Sequence, residues 1–112
     1  MMISERSIGT ATVLDLEGPF TSSDGANQLR DTVRRLLQQD HKRIVVNLGA
    51  VPYMDSTGLG ELVQACASAR RQGGELKLIN VTKRLRDLFV VTKLANIFDL
   101  FDSENAAVGS FQ

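Results

Sequence analysis

The sequence predicts an α/β fold built on a mixed sheet, and three observations carry that expectation. Beyond an N-terminal pair of strand-like runs, short apolar β-branched stretches alternate with longer ones whose apolar residues recur at helical spacing. One short stretch, Ile44-Val45-Val46-Asn47-Leu48, is almost wholly apolar, the mark of a strand covered on both faces. The length of 112 residues, 43% apolar and 23% charged, suits one globular domain over 1–112 with a single core. Strands separated by helices are joined by right-handed crossovers, so the later strands are expected to run parallel.

Residues 3–8 and 11–17 are β-branched runs around Gly9, the pattern of a hairpin, and the second ends at the Gly18-Pro19 breaker. From Ala26 the period changes. Ala26, Leu29, Val33, Leu36 and Leu37 alternate with Arg30, Asp31, Arg34 and Gln38 as in an amphipathic surface helix, and Thr21-Ser22-Ser23-Asp24 supplies candidate caps. Ile44 to Leu48 follows as a central strand. A second helix carries Leu59, Leu62, Val63 and Cys66 on one stripe, with Ala65, Ala67 and Ala69 allowing close packing, and stops at Gly73-Gly74. Leu76 to Val81 reads as another buried strand, and Thr82 caps a third helix bearing Leu85, Leu88 and Phe89. Ile97 to Phe101 is a short last strand, and Ser103-Glu104 opens a terminal helix that ends near Gly109.

Composition removes several classes of function. Thirteen Lys and Arg balance thirteen Asp and Glu, and a pI of about 6.6 disfavours holding nucleic acid or anionic lipid by bulk charge. With no Trp and 5% aromatic residues, a base-stacking platform is not expected either. The first residues lack the basic start and apolar run of a signal peptide, and no stretch approaches the ~18 apolar residues of a membrane helix. With one free cysteine, Cys66, in an apolar helical run, the expected compartment is the cytoplasm.

Chemistry concentrates between the central strand and the second helix, where α/β sheets gather function. Met54-Asp55-Ser56-Thr57-Gly58-Leu59-Gly60 crowds a carboxylate, two hydroxyls and two glycines into one junction. The same letters serve the fold, since Asp55 or Ser56 is a good N-cap and glycines permit close packing. They also suit a switch: free N–H groups and the positive pole of a helix tolerate added phosphate, which on Ser56 contributes about −1.5 to −2 charges beside Asp55.

Enzyme readings fail. An aspartic protease needs a second carboxylate sharing a proton, but the Asp-Ser-Thr-Gly run occurs once. A serine hydrolase needs a base, and the only histidine, His41, falls at the other end of the central strand, as an exposed turn residue. Neither phosphate-loop pattern, G-x-x-x-x-G-K-[ST] nor G-x-G-x-x-G, is present. A receiver-type phosphoacceptor aspartate would sit at the tip of the central strand, which instead ends Asn47-Leu48. No catalytic residue, metal ligand or cofactor is expected.

Two surface features remain. Residues 70–86 hold Arg70, Arg71, Lys77, Lys83, Arg84 and Arg86 against Glu75, while residues 87–112 hold Lys93 against Asp87, Asp99, Asp102 and Glu104; this asymmetry could orient a partner. Phe89, Leu94, Phe98 and Phe101 read as core, and Met54, Leu59 and Val90 as candidates for an exposed apolar patch.

With the run from Ile44 to Gly60, then Gly73-Gly74-Glu75-Leu76 and the helix through Lys83-Arg84-Leu85, the sequence resembles STAS domains of the bacterial anti-sigma factor antagonist family. The resemblance covers nearly the whole chain and implies a mixed, mostly parallel sheet with helices mainly on one face. It implies Ser56 as phosphoacceptor. It further implies that the unphosphorylated protein binds an anti-sigma factor that is also its serine kinase, so releasing a sigma factor, and that a PP2C-type phosphatase reverses the modification. Asp55 and Thr57 would flank the acceptor, and Gly58, Leu59 and Gly60, with Met54, would form the helix start against which the partner docks. Typical members carry a Gly-Glu-Leu-Asp run before the first helix, where this chain has Gly18-Pro19-Phe20-Thr21-Ser22-Ser23-Asp24, so Thr21 and Asp24 are further candidate contacts. The other reading is a STAS scaffold or small-ligand module, nucleotide-binding for example, within a larger signalling complex.

Overall fold

A computed structural model describes residues 1–111. Two antiparallel strands open the chain, β1 (Met2–Ile8) and β2 (Ala11–Glu17). They are followed by α1 (Ala26–Gln38), β3 (Arg43–Ala50), α2 (Ser56–Arg71), β4 (Glu75–Ile79), α3 (Lys83–Val91), β5 (Asp99–Phe101) and α4 (Glu104–Gly109). The sheet order is β1-β2-β3-β4-β5, and every neighbour pair after the first is parallel. The expected α/β fold with a mixed, mostly parallel sheet is therefore observed. Strand and helix ends differ by one to three residues from the sequence reading; the last strand starts at Asp99 rather than Ile97, and Val81 follows β4 rather than ending it.

The sheet has two unequal sides. On one, Leu14, Leu16, Ile44, Val46, Leu48, Leu76 and Leu78 pack with the apolar stripes of α1, α2 and α3 in the main core. Burying a side chain of this size stabilises by about 1.5–3 kcal/mol before entropy is counted, so this layer holds the molecule together. Phe89 and Phe98 are buried there with ring centroids 4.8 Å apart, as the core reading required. On the other side, the short α4 covers Ala11, Val13, Val45 and Ile79 with Ala107, while Phe101 packs at the margin. Lys77 is also buried there, its Nζ 2.6 Å from Ser110 Oγ and against the rings of Phe101 and Phe111.

Cys66 lies in α2 against the main core, and burial pushes its thiol up to about 12, leaving it a small apolar side chain rather than a nucleophile. His41 is exposed just before β3, far along that strand from α2's start. Among the described residues no helix is long and apolar enough to cross a membrane.

The start of α1 differs from expectation. Thr21 to Asp24 do not cap it: they close a tight turn, with Thr21 N–H donating to Asp24 O at 2.7 Å and Asp24 N–H to Thr21 O at 3.2 Å. The cap position falls to Gly25, whose φ of 96° is a left-handed conformation that glycine adopts without strain, and no side chain caps the helix. The hydroxyl-rich stretch is thereby left free to face the start of α2.

Candidate functional site

β3 delivers the chain from the sheet centre to its C-terminal end, where residues 51–55 turn into α2. Asn47, a polar residue in the apolar strand, anchors this turn. Its side-chain oxygen accepts from Gly49 N–H and from Asn80 Nδ2, both at 3.0 Å, and its amide donates to Asp15 at 2.8 Å. One side chain thus ties the ends of β2, β3 and β4 together beneath the loop.

A second segment, residues 18–25, lies alongside. Gly18 N–H donates to Ala50 O and Phe20 N–H to Tyr53 O, each at 3.0 Å, and Asp55 N–H donates to Phe20 O at 3.3 Å. Phe20 is fully buried, and Val51 and Met54 are buried with it in the main core. The polar face above is therefore mounted on an apolar base.

Asp55 is the N-cap of α2. One carboxylate oxygen accepts from Gly58 N–H at 2.8 Å and the other from Ser22 N–H at 2.9 Å, so the cap also clamps the neighbouring loop. These two backbone donors, Ser22 first and Gly58 next, hold the Asp55 carboxyl below the usual carboxylate range. The sign follows: a carboxyl with a depressed folded-state value contributes stability that is complete above its unfolded value and is lost as pH falls through the folded one. The thermal midpoint of the wild type is expected to fall faster between about pH 5 and pH 3 than that of Asp55→Asn, which loses the charged acceptor at every pH. Parallel pH profiles would contradict this clamp.

Ser56 and Thr57 are the first two residues of α2, and both are exposed. Their helix is 16 residues long, ends in Arg70 and Arg71, and presents its positive pole at Ser56. Gly58, one position further, is buried, and a Cβ there would stand 2.2 Å from Phe20 O. Only a glycine lets the loop backbone lie this close to the helix. Gly60 differs: it is exposed, and a Cβ there would meet nothing within 4 Å.

Not every candidate contact residue faces outward. Met54 and Leu59 are 7% and 5% exposed and belong to the core, so neither stands out as an exposed apolar residue, and with Gly58 they support the exposed face from beneath. Leu59 continues the inward stripe of Leu62 and Cys66, which is why it is buried. Val90, by contrast, is 65% exposed. Thr21 Oγ1 lies 3.3 Å from Ser23 Oγ, and Asp24 pairs with the Met1 ammonium. The contribution of Ser22 N–H and the bracing by Asn47 are absent from the sequence reading. The lone polar residue within 44–48 was the only available hint of the latter.

Among the described residues no group of three His, Cys, Asp or Glu side chains could hold a metal ion. What the face offers is an exposed hydroxyl-bearing residue at a helix N-terminus, flanked by a charged cap and backed by a buried apolar base.

Comparison with known proteins agrees in kind. The family model described as STAS domain matches residues 3–107. The anti-sigma-B factor antagonist of Bacillus subtilis is 50% identical over 50 residues, 45% of this chain and 46% of its own length. BtrV of Bordetella bronchiseptica is 28% identical over 97 residues, 87% of this chain and 83% of that protein. The match thus spans about half the length of the Bacillus relative. In fold, a crystal structure from Thermotoga maritima superposes with a TM-score of 0.87 at 19% identity, covering 96% of this chain and 92% of that one. The Bacillus cell fate determinant SpoIIAA in its phosphorylated form gives 0.75 at 18% identity, covering 99% and 100%.

Proposed function

Since the chain belongs to the STAS domain family, we propose that it is an anti-sigma factor antagonist whose binding is switched by phosphorylation of Ser56. The unphosphorylated face binds an anti-sigma factor that is also a serine kinase, and the sigma factor held by that protein is released. The observation that carries this reading is the exposed Ser56 residue at the positive pole of α2, above the buried side chains of Phe20, Val51 and Met54.

The chemistry belongs to the partners. The Ser56 hydroxyl oxygen attacks the γ-phosphorus of ATP, its proton passes to a base of the kinase, and the bond to the β,γ-bridging oxygen breaks to release ADP. A PP2C-type phosphatase reverses this by delivering water to phosphorus and releasing inorganic phosphate. This chain supplies the nucleophile and its setting, and has no catalytic activity of its own. The reading places it in the cytoplasm, as one domain, with neither nucleic acid nor membrane as a direct partner.

Asp55 holds the acceptor turn, and Thr57 and Gly60 extend the exposed face beside it. Thr21 and Asp24 shape the adjoining loop, while Met54, Gly58 and Leu59 act from below. Gly60 gives a test in which stability and binding move in opposite directions. A glycine inside a helix costs about 0.5–1 kcal/mol relative to alanine, and no neighbour here requires it. Gly60→Ala is expected to raise the thermal midpoint by a few degrees and to weaken partner binding about tenfold by placing a methyl group in the contact. Unchanged affinity in the stabilised variant would remove Gly60 from the docking face.

The modification itself is tested by incubating the protein with ATP and each serine-kinase anti-sigma factor of its source organism, then mapping phosphate by peptide mass spectrometry. One phosphate on Ser56, absent in Ser56→Ala, is the expected result. Phosphate at another residue, or none with any of these kinases, would contradict it.

A further inference from the structure

We propose that the groove between Tyr53 and α3 is a second contact of the docking face and receives a carboxylate-bearing, otherwise apolar segment of the anti-sigma factor. This deepens the function proposed above and rests on it. Tyr53, Met54, Leu88 and Val91 line the groove together with Arg84 and Asp87. Val91 is 78% exposed and Tyr53 44%, while Met54 reaches the groove from the core. Isolated exposed apolar residues are ordinary, but a contiguous group beside an aromatic and an arginine has the composition of a binding patch.

Charge decides the occupant. α3 carries three cations. Lys83 is 2.9 Å from Asp87, and Arg86 is 3.5 Å from Asp102. Arg84 has no acidic side chain within 4 Å among the described residues, and its guanidinium lies over the Tyr53 ring, 5.6 Å from the centroid. Stacking orients a planar, permanently charged fork toward the groove and lowers the entropy lost when a carboxylate pairs with it. Tyr53 lies on the loop that leads into Ser56, so one partner surface can engage the groove and the acceptor together. The groove's acidic residue, Asp87, is already paired with Lys83, so the uncommitted charge is that of Arg84, which would repel a basic segment.

The test measures affinity of the full chain for the purified anti-sigma factor that phosphorylates Ser56. Arg84→Glu and Val91→Asp are each expected to weaken binding about tenfold or more, with thermal midpoints unchanged because both side chains are exposed. Arg84→Gln is expected to weaken binding less and to flatten its dependence on salt. Wild-type affinity and salt dependence in all three, beside lost binding in Ser56→Asp, would overturn the groove and leave the Ser56 reading standing. If the variants alter only self-association by sedimentation, the groove joins copies of this chain and the proposal fails. Failure of the wild type to bind any anti-sigma factor would remove both readings.

Discussion

Ser56→Asp is expected to lower affinity for the anti-sigma factor by at least about 100-fold, and Ser56→Ala to bind within a few-fold of the wild type. The difference is electrostatic rather than structural. In a docked complex the hydroxyl lies within a surface that excludes water, and a carboxylate there must lose its hydration without gaining a cation, a penalty of about 3–5 kcal/mol. Asp55 stands next in sequence and adds like charge, its carboxylate held by the N–H groups of Ser22 and Gly58. In the free protein the same charge is exposed to water, where the favourable helix pole is opposed by repulsion from the neighbouring Asp55 carboxylate, so the two effects on stability nearly cancel. Thermal midpoints of the three proteins are therefore expected to agree within about 2 °C. Titration calorimetry beside thermal denaturation separates the two quantities. Equal affinities for Ser56→Asp and Ser56→Ala would contradict the switch.

Gly58→Ala has the largest expected effect on stability. Its new Cβ would stand 2.2 Å from Phe20 O and 2.9 Å from Phe20 C, both backbone atoms that no rotamer change can move. Either α2 moves away, or the loop carrying Phe20 shifts and breaks the bonds to Tyr53 and Asp55. Overpacking of this kind costs about 3 kcal/mol, only partly offset by alanine's better helix propensity, for a net fall of roughly 10–15 °C in thermal midpoint. The contrast with Gly60→Ala, two residues along the same helix, makes the test specific. If both substitutions shift stability alike, the close approach of Phe20 to α2 is not what requires glycine at 58.

The elements of this fold were legible where periodicity was strong. The helical stripe of α1, the apolar run of β3 and the cap of Thr82 on Leu85 N–H all appear in the structure. The parallel arrangement followed from crossovers alone. The segment before α1 was misread for a physical reason: Thr, Ser and Asp have the chemistry of N-caps, but Gly25 takes the cap position through a backbone conformation that leaves no trace in side-chain type. Those hydroxyl residues instead present Ser22 N–H to Asp55, a contact between positions 33 apart in sequence. Local pattern cannot reveal such a pairing. Leu59 shows the opposite case. Its spacing from Leu62 and Cys66 already marked it as inward, and that stripe outweighs its place among polar, glycine-rich neighbours.

The groove beside α3 lay outside the reach of sequence for a related reason. Arg84 is one of six cations within residues 70–86, and nothing in the order of residues separates it from Lys83 or Arg86. Only the fold does so, by giving those two acidic partners and laying Arg84 on Tyr53.

In the proposed switch, one phosphate on Ser56 changes binding while leaving the fold intact. This is tested most directly by preparing the protein in unphosphorylated and Ser56-phosphorylated forms and titrating each with the same anti-sigma factor, with a thermal melt of both. At least about a 100-fold loss of affinity on phosphorylation is expected, with midpoints within about 2 °C. Equal affinity of the two forms, or a loss of affinity accompanied by a comparable loss of stability, would contradict it.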